Sequence, residues 1–381
     1  MDALIVALVV GARLLLPLGI VRYPLPAIVA CLLVDAVDQS IFQTFTSLDL
    51  AGYQGYDKAL DIYYLTIAYI STLRNWTNRP AVVIARFLLY YRLIGVALFE
   101  ATGVRELMVI FPNTFEYFFI FYEAVRVRWD PRRMDARLLI GATAFIWIVI
   151  KLPQEWWIHV AQLDLSDTLK GLLGGTPASD WADLIAANIG LVLAAALLAF
   201  AVLVFGEWFL TRKLPPADRP LTLSADAEAR LVDPDRLVQI SLAMQKRYLD
   251  RELLEKTVLV SLLTVIFVLG FGFDIDPVRA GVGMTLIILA NTAVSEWLAR
   301  RGWIWRTASV ARHLLGMTVL NIAILVMVAL LLPDRVDIGR AGFVLLLLTV
   351  IVTLYDRYRP EFLARFPSDS AQLRPGYAAS R

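Results

Sequence analysis

Residues 182–210 read ADLIAANIGLVLAAALLAFAVLVFGEWFL, and from Ile189 to Gly206 no side chain is charged. A helix rises about 1.5 Å per residue, so roughly 20 apolar residues cross the hydrocarbon of a bilayer. Comparable stretches recur at 3–21, 24–43, 58–75, 80–101, 106–125, 138–158, 257–273, 279–299, 307–332 and 339–356. Together these eleven segments predict an all-α, polytopic integral membrane protein. The second is polar for its length, because it holds Asp35, Asp38 and Gln39.

Composition agrees with that reading. The 381 residues are 59% hydrophobic and 18% charged, against about 45–50% and 25% in soluble domains. A cytosolic enzyme, a secreted disulfide domain and a nucleic-acid reader are excluded on this ground. The lone cysteine, Cys31, permits no internal disulfide and no multi-cysteine metal site. With only His159 and His313 as imidazoles, no resident metal or other cofactor is expected. Six lysines among 36 basic residues make an Arg-rich chain, the bias of a GC-rich bacterial genome. The bacterial plasma membrane is therefore the expected location. The opening Met1-Asp2 lacks a basic n-region and Arg13 interrupts the apolar run, so the first segment reads as a retained helix.

Basic loops orient such a chain. Arg74 and Arg79, then Arg126, Arg128, Arg132, Arg133 and Arg137, then Arg212 and Lys213, then Arg300, Arg301 and Arg306 follow the odd-numbered spans. The alternate connections carry Asp49, Asp164, Asp167, Asp274, Asp276, Asp334 and Asp337 instead. The amino terminus is expected outside and the carboxyl terminus inside, which an odd span count requires. Trp156 and Trp157, and Trp303 and Trp305, sit at span edges, where amphipathic rings prefer to lie.

The organisation follows. Residues 1–160 form a polar six-helix bundle, 161–181 an outer loop, and 182–211 a single span. Residues 212–256 form an inner loop, 257–356 a four-helix scaffold, and 357–381 a disordered basic tail. In the outer loop, Leu165–Leu173 reads as a surface helix ended by Gly174-Gly175. The inner loop starts extended at Pro215-Pro216 and Pro220. It then turns into an amphipathic helix capped by Asp233-Pro234, with Val238, Leu242, Leu249 and Leu253 on one face. No motif recurs at a fixed offset.

Charged residues inside spans cost about 2.5–3.5 kcal/mol each and persist when paired, hydrated or used. Arg13 and Arg92 fall near mid-span, Asp35 roughly 12 Å and Lys151 roughly 11 Å below their outer ends, and Asn113 and Glu116 roughly 9–14 Å below theirs. Asp38 and Asp61 lie shallower on the same side. Spacing of three and four places Asp35 with Asp38 and Gln39, and Asp57 with Asp61, on shared helical faces. Asn113, Glu116 and Glu123 share a face, as do Lys151 and Glu155 around a kink at Pro153. Asp35, Asp38, Asp61, Glu116, Asn113, Arg13, Arg92 and Lys151 are therefore the candidate substrate- or ion-binding residues. They are expected to form one near-neutral cluster in a cavity open to the outside, with Tyr63, Tyr64, Tyr90 and Tyr91 as candidate lining. Arg92 and Lys151 supply counter-charge to the acids. Asn188, Asn291 and Asn321 read as helix-to-helix glue in a second half that is scaffold.

The spacing of Asp35, Asp38, Asp57 and Asp61 resembles that of the CDP-alcohol phosphotransferases. That family holds divalent metal with two Asp three apart and two Asp four apart on adjacent spans. The resemblance covers residues 35–61 and implies a Mg²⁺- or Mn²⁺-dependent lipid transferase. It departs from the family at Gln39 in place of glycine, at Phe42-Gln43 in place of Ala-Arg, and at Tyr53, with Gly52 and Gly55 close by. The family site also faces the cytoplasm, and Asp57 is expected at the interface, shallower than Asp35. No Gly-x-Ser-x-Gly motif or phosphate-cradling Gly-Lys loop occurs.

The leading expectation is a transporter or channel-like protein that binds a small polar or charged solute, or protons, and is not an enzyme. The alternatives are the metal-dependent lipid or carrier-lipid transferase and a non-catalytic assembly subunit. The expected partners are the bilayer and the solute, with self-association or a membrane subunit allowed and no nucleic acid.

Overall fold

The computed structural model describes residues 2–46, 53–163, 165–176, 179–229, 236, 237, 240, 251–273, 315, 316, 318, 319 and 338–366. Among them the structure is all-helical, with no strand. The helices are α1 (Asp2–Gly19), α2 (Pro24–Phe45), α3 (Tyr53–Asn75), α4 (Arg79–Thr102), α5 (Leu107–Ile110) and α6 (Thr114–Arg126). There follow α7 (Ala136–Val160), α8 (Leu165–Leu172), α9 (Trp181–Ala187), α10 (Ile189–Lys213), the single turn α11 (Asp226–Ala229), α12 (Arg251–Gly270) and α13 (Ile338–Arg365).

Six helices are long and apolar enough to cross a membrane: Pro24–Gln43, Arg79–Thr102, Ala136–Val160, Ile189–Trp208, Leu253–Gly270 and Gly339–Arg365. Leu4–Gly19 is a shorter apolar helix. The ninth expected span lies outside the described residues, as do the tenth, apart from residues 315, 316, 318 and 319, and most of the expected amphipathic helix after Asp233. The expected fifth span is not continuous. It breaks at Phe111-Pro112-Asn113 into α5 and α6, because Pro112 offers no N–H and forbids helical geometry before it. The expected seventh span is likewise interrupted at Asn188, between α9 and α10.

The third expected span has a different role from its neighbours. α3 is too polar to rank with the six apolar helices, and it forms the centre of the bundle. Helices α1, α2, α4, α6, α12 and α13 all pack on it. Leu60, Tyr63, Ala68, Tyr69, Leu73 and Trp76 are buried along its length and at its end. Trp76 stacks on Tyr122 with ring centroids 3.8 Å apart. A Cβ on Gly55 would come within 2.1 Å of the Gly270 carbonyl oxygen, so only glycine permits the α3–α12 approach here.

By contrast, no residue in the apolar window of α10 is buried against the rest of the described chain. Leu191, Leu193, Leu197, Leu198, Phe200, Val202 and Leu203 are all exposed. Apolar surface on every side of one helix suits hydrocarbon as its solvent.

Two expectations about irregular segments change. α13 does not end at residue 356 in a disordered tail; it runs through Pro360 to Arg365. Tyr355, Tyr358, Phe362, Leu363 and Ala364 are buried, and that packing outweighs a proline's cost of about 3 kcal/mol within a helix. Around Pro153, α7 widens to π-helix at Ile146–Lys151 and again at Trp156–Val160, which absorbs the missing hydrogen bond. In the loop after α7, α8 closes with Gly174 at φ 75°, a left-handed conformation that glycine supplies freely.

Candidate functional site

Arg13 lies two-thirds of the way along α1. Asp35 and Asp38 stand three apart on α2, and Asp57 and Asp61 four apart on the first turns of α3. Each spacing keeps both carboxylates on one face, and the packing of α1, α2 and α3 turns those faces toward one another. The result is one guanidinium shared by four carboxylates. Arg13 Nη2 donates to Asp35 Oδ1 at 2.5 Å and to Asp61 Oδ1 at 2.7 Å. Its Nη1 donates to Asp57 Oδ1 at 2.6 Å and also to Asp38 Oδ2. Arg13 and Asp38 are buried. The side chains of Asp35, Asp57 and Asp61 keep 27%, 31% and 29% exposure, so this side of the cluster is accessible.

A second group lies where the helix break between α5 and α6 meets the π-helical part of α7. Tyr64 on α3 donates to Glu116 Oε1 at 2.5 Å, and Asn113 Nδ2 donates to Glu116 Oε2 at 2.8 Å. Lys151 Nζ stands 3.9 Å from Glu116 Oε2 and 3.9 Å above the Tyr117 ring. Glu155 accepts from the Asn113 backbone N–H at 3.0 Å and pairs with Arg92 at 3.7 Å and His159 at 3.1 Å. Arg92 also donates to the Phe111 carbonyl, which the break leaves without a helical partner, at 2.9 Å. Gly95 makes this approach possible, since a Cβ there would meet the Phe111 side chain at 2.1 Å.

All eight sequence candidates therefore lie in two adjoining groups rather than in one neutral cluster. Arg92 and Lys151 are matched by Glu155 and Glu116, so the four aspartates have Arg13 as their cation. If fully ionised, one base against four acids leaves, among the described residues, a formal charge of −3 in the first group. Asp57 is not shallower than Asp35 in any useful sense, because one guanidinium reaches both. Asp57, Glu155 and His159 are members that the candidate set lacked. The spacing of Asp57 to Asp61, and of Lys151 to Glu155 to His159, is the signal that marks them.

Glu123 leaves the group expected for it. It binds Trp76 Nε1 at 2.7 Å and Arg126 at 2.5 Å, near the opposite end of the bundle. There Arg126 also reaches Glu228 at 3.4 Å, and Arg219 pairs with Glu228 at 2.9 Å. Tyr63 and Tyr91 are spent on the Leu14 and Ile110 carbonyls, and Tyr90 on that of Glu255. A third buried network, unseen in sequence, joins Glu255 to Tyr69 at 2.7 Å, Arg359 at 3.0 Å and Arg86 at 3.5 Å.

One oxygen each of Asp35, Asp57 and Asp61 lies within 4.8 Å of the others, the grouping a cation could use. Hard carboxylate oxygens suit Mg²⁺ or Mn²⁺. The Arg13 guanidinium, however, already donates to all three of these residues, and a dication among them would face it at contact distance. With Arg13 in this position the residues do not fit a divalent metal. Comparison with protein-family models, with curated proteins and with solved structures finds no match for this chain.

Proposed function

We propose that this chain is a multi-pass transporter or channel-like protein of a bacterial plasma membrane, in which the Arg13–aspartate cluster binds protons or a small cation from the outer side. The reading is carried by the charge imbalance at Arg13. A carboxylate taken out of water needs a partner, and an uncompensated one is strongly unfavourable. Four carboxylates on one guanidinium therefore share protons or hold a cation, and Asp35, Asp57 and Asp61 are exposed enough to exchange it. The broken helix α5–α6 and the π-segments of α7 lie beside the cluster, and irregular helices of this kind accompany substrate sites in transporters. Glu116 and Lys151 would then couple the cluster to the solute group.

The test is proton uptake into liposomes holding the full chain, driven by an imposed potential and read with an enclosed pH dye. Asp35→Asn and Glu116→Gln should abolish uptake while the protein still accumulates and melts near the wild type. Uptake unchanged in both variants would overturn the proposal.

A second reading, the metal-dependent lipid transferase, rests on the convergence of the four aspartates and requires Arg13 to leave them. Under that reading Mg²⁺ or Mn²⁺ would raise thermal stability, by about 2.7 kcal/mol at a hundredfold excess over the dissociation constant. The transporter reading expects no such rise. A rise lost in Asp57→Ala and Asp61→Ala would put the enzyme first.

A further inference from the structure

At the end of the bundle opposite the aspartates, a cavity of about 300 Å³ opens beside α1, α3 and α13. That volume is at the lower end of the range for small-molecule sites, about 300–1,000 Å³. Leu18 and Val21 contribute apolar wall from α1 and the turn after it, and Val350 and Leu354 from α13. Thr353 also lines it. Its side chain is buried and, among the described residues, its hydroxyl has no hydrogen-bond partner, a costly state for a polar group.

The polar part of the lining is cationic. Arg22 lies in the turn between α1 and α2, and Arg74 in the last turn of α3, so both sit at the boundary of the spans. Both pair with Asp226, each at 2.9 Å. Glu361 also lies within electrostatic reach of Arg74, but with Arg357 and Arg365 beside it the two carboxylates still leave a positive excess. Arg22 engages Asp226 through Nε, and its side chain is 63% exposed. Its terminal nitrogens are thus left over from that contact.

An apolar recess, one buried unpartnered hydroxyl and a cationic rim at a span boundary together match one chemical class of ligand. We infer that this cavity binds an anionic phospholipid, with its phosphate on Arg22 and Arg74, its ester carbonyl on Thr353, and its acyl chain against Leu18, Val21, Val350 and Leu354. A soluble anion would make no use of the apolar walls, and a zwitterionic lipid would leave the cationic excess unmatched. Basic pockets between spans on the Arg-rich side of a membrane recognise anionic headgroups by the same physics.

The experiment is native mass spectrometry of the full chain in non-ionic detergent, titrated with phosphatidylglycerol, with phosphatidylcholine and with inorganic phosphate. One phosphatidylglycerol per chain should be retained in preference to phosphatidylcholine. Arg22→Gln should weaken retention about tenfold, the effect of one charge-assisted hydrogen bond. Leu18→Trp, which narrows the recess from its half-exposed wall, should abolish it. Thr353→Val keeps the side-chain shape and should weaken retention severalfold, so the test survives if either other variant fails to accumulate. Equal retention of the two lipids, retention unchanged in all three variants, or full displacement by inorganic phosphate would each overturn the inference. None of these readouts involves the aspartate cluster.

Discussion

Replacing Arg13 by Met is the most telling perturbation of this fold. The substitution keeps most of the side chain's apolar length and removes a cation that, among the described residues, four carboxylates share. Breaking a buried ion pair from one side costs about 3–5 kcal/mol, because the remaining charge is left unpaired. Asp38 is fully buried and keeps the Gln39 backbone N–H at 2.7 Å, whereas Asp35, Asp57 and Asp61 are partly exposed and are relieved by water. The lower figure is therefore expected, about 3 kcal/mol, or roughly a hundredfold in the unfolding equilibrium. The opposite substitution has the opposite logic. Asp57→Asn removes one acid from a group with three in excess, and should leave stability unchanged or raise it. The loss in Arg13→Met should also shrink as the solution is acidified, because protonation of the surplus carboxylates ends their repulsion. Chemical or thermal unfolding in lipid nanodiscs, followed across pH, reads all three effects. The reasoning fails if Arg13→Met melts with the wild type at pH 7, or if Asp57→Asn loses as much as Arg13→Met.

Two further outcomes are expected. With Cys31 replaced, an impermeant maleimide applied to intact cells should label Val104→Cys, next to the end of α4, and not Arg137→Cys at the start of α7; the reverse pattern would place the aspartate cluster on the inner side. The segment before α11 docks on the Arg-rich end through Asp218 and Thr222 backbone N–H bonds to the Arg128 and Val127 carbonyls and through the Ala225 N–H to Arg22. Hydrogen bonding from Arg74 holds the Asp226 carboxyl below its usual range. A depressed carboxyl pKa contributes stability above the unfolded value of about 3.9 and loses it as pH falls toward the folded value. Protection from hydrogen exchange at residues 218–225, relative to the unfolded chain at the same pH, should therefore be high at neutral pH and fall below about pH 4, and Asp226→Asn should be less protected already at pH 7.

The sequence alone determined what is local. Apolar runs long enough to span a bilayer depend only on composition and rise per residue, so α2, α4, α7, α10, α12 and α13 are legible as spans. Spacings of three and four put Asp35 with Asp38, Asp57 with Asp61, and Lys151 with Glu155 on shared faces, because helical phase is a property of one helix. The tertiary structure decided everything that depends on how one helix is turned against another. Depth along a span could not say that Arg13 meets the aspartates while Arg92 and Lys151 meet Glu155 and Glu116, since charges at equal depth pair only if their azimuths agree. Nor could hydropathy show that the most polar of the long helices, α3, lies at the centre, where its tyrosines and carboxylates find partners on α1, α6 and α12. The last turns of α13 were illegible for the same reason. Their charges and proline read as a solvated tail, and only contact with the bundle supplies the burial of Tyr358, Phe362 and Leu363 that keeps them helical.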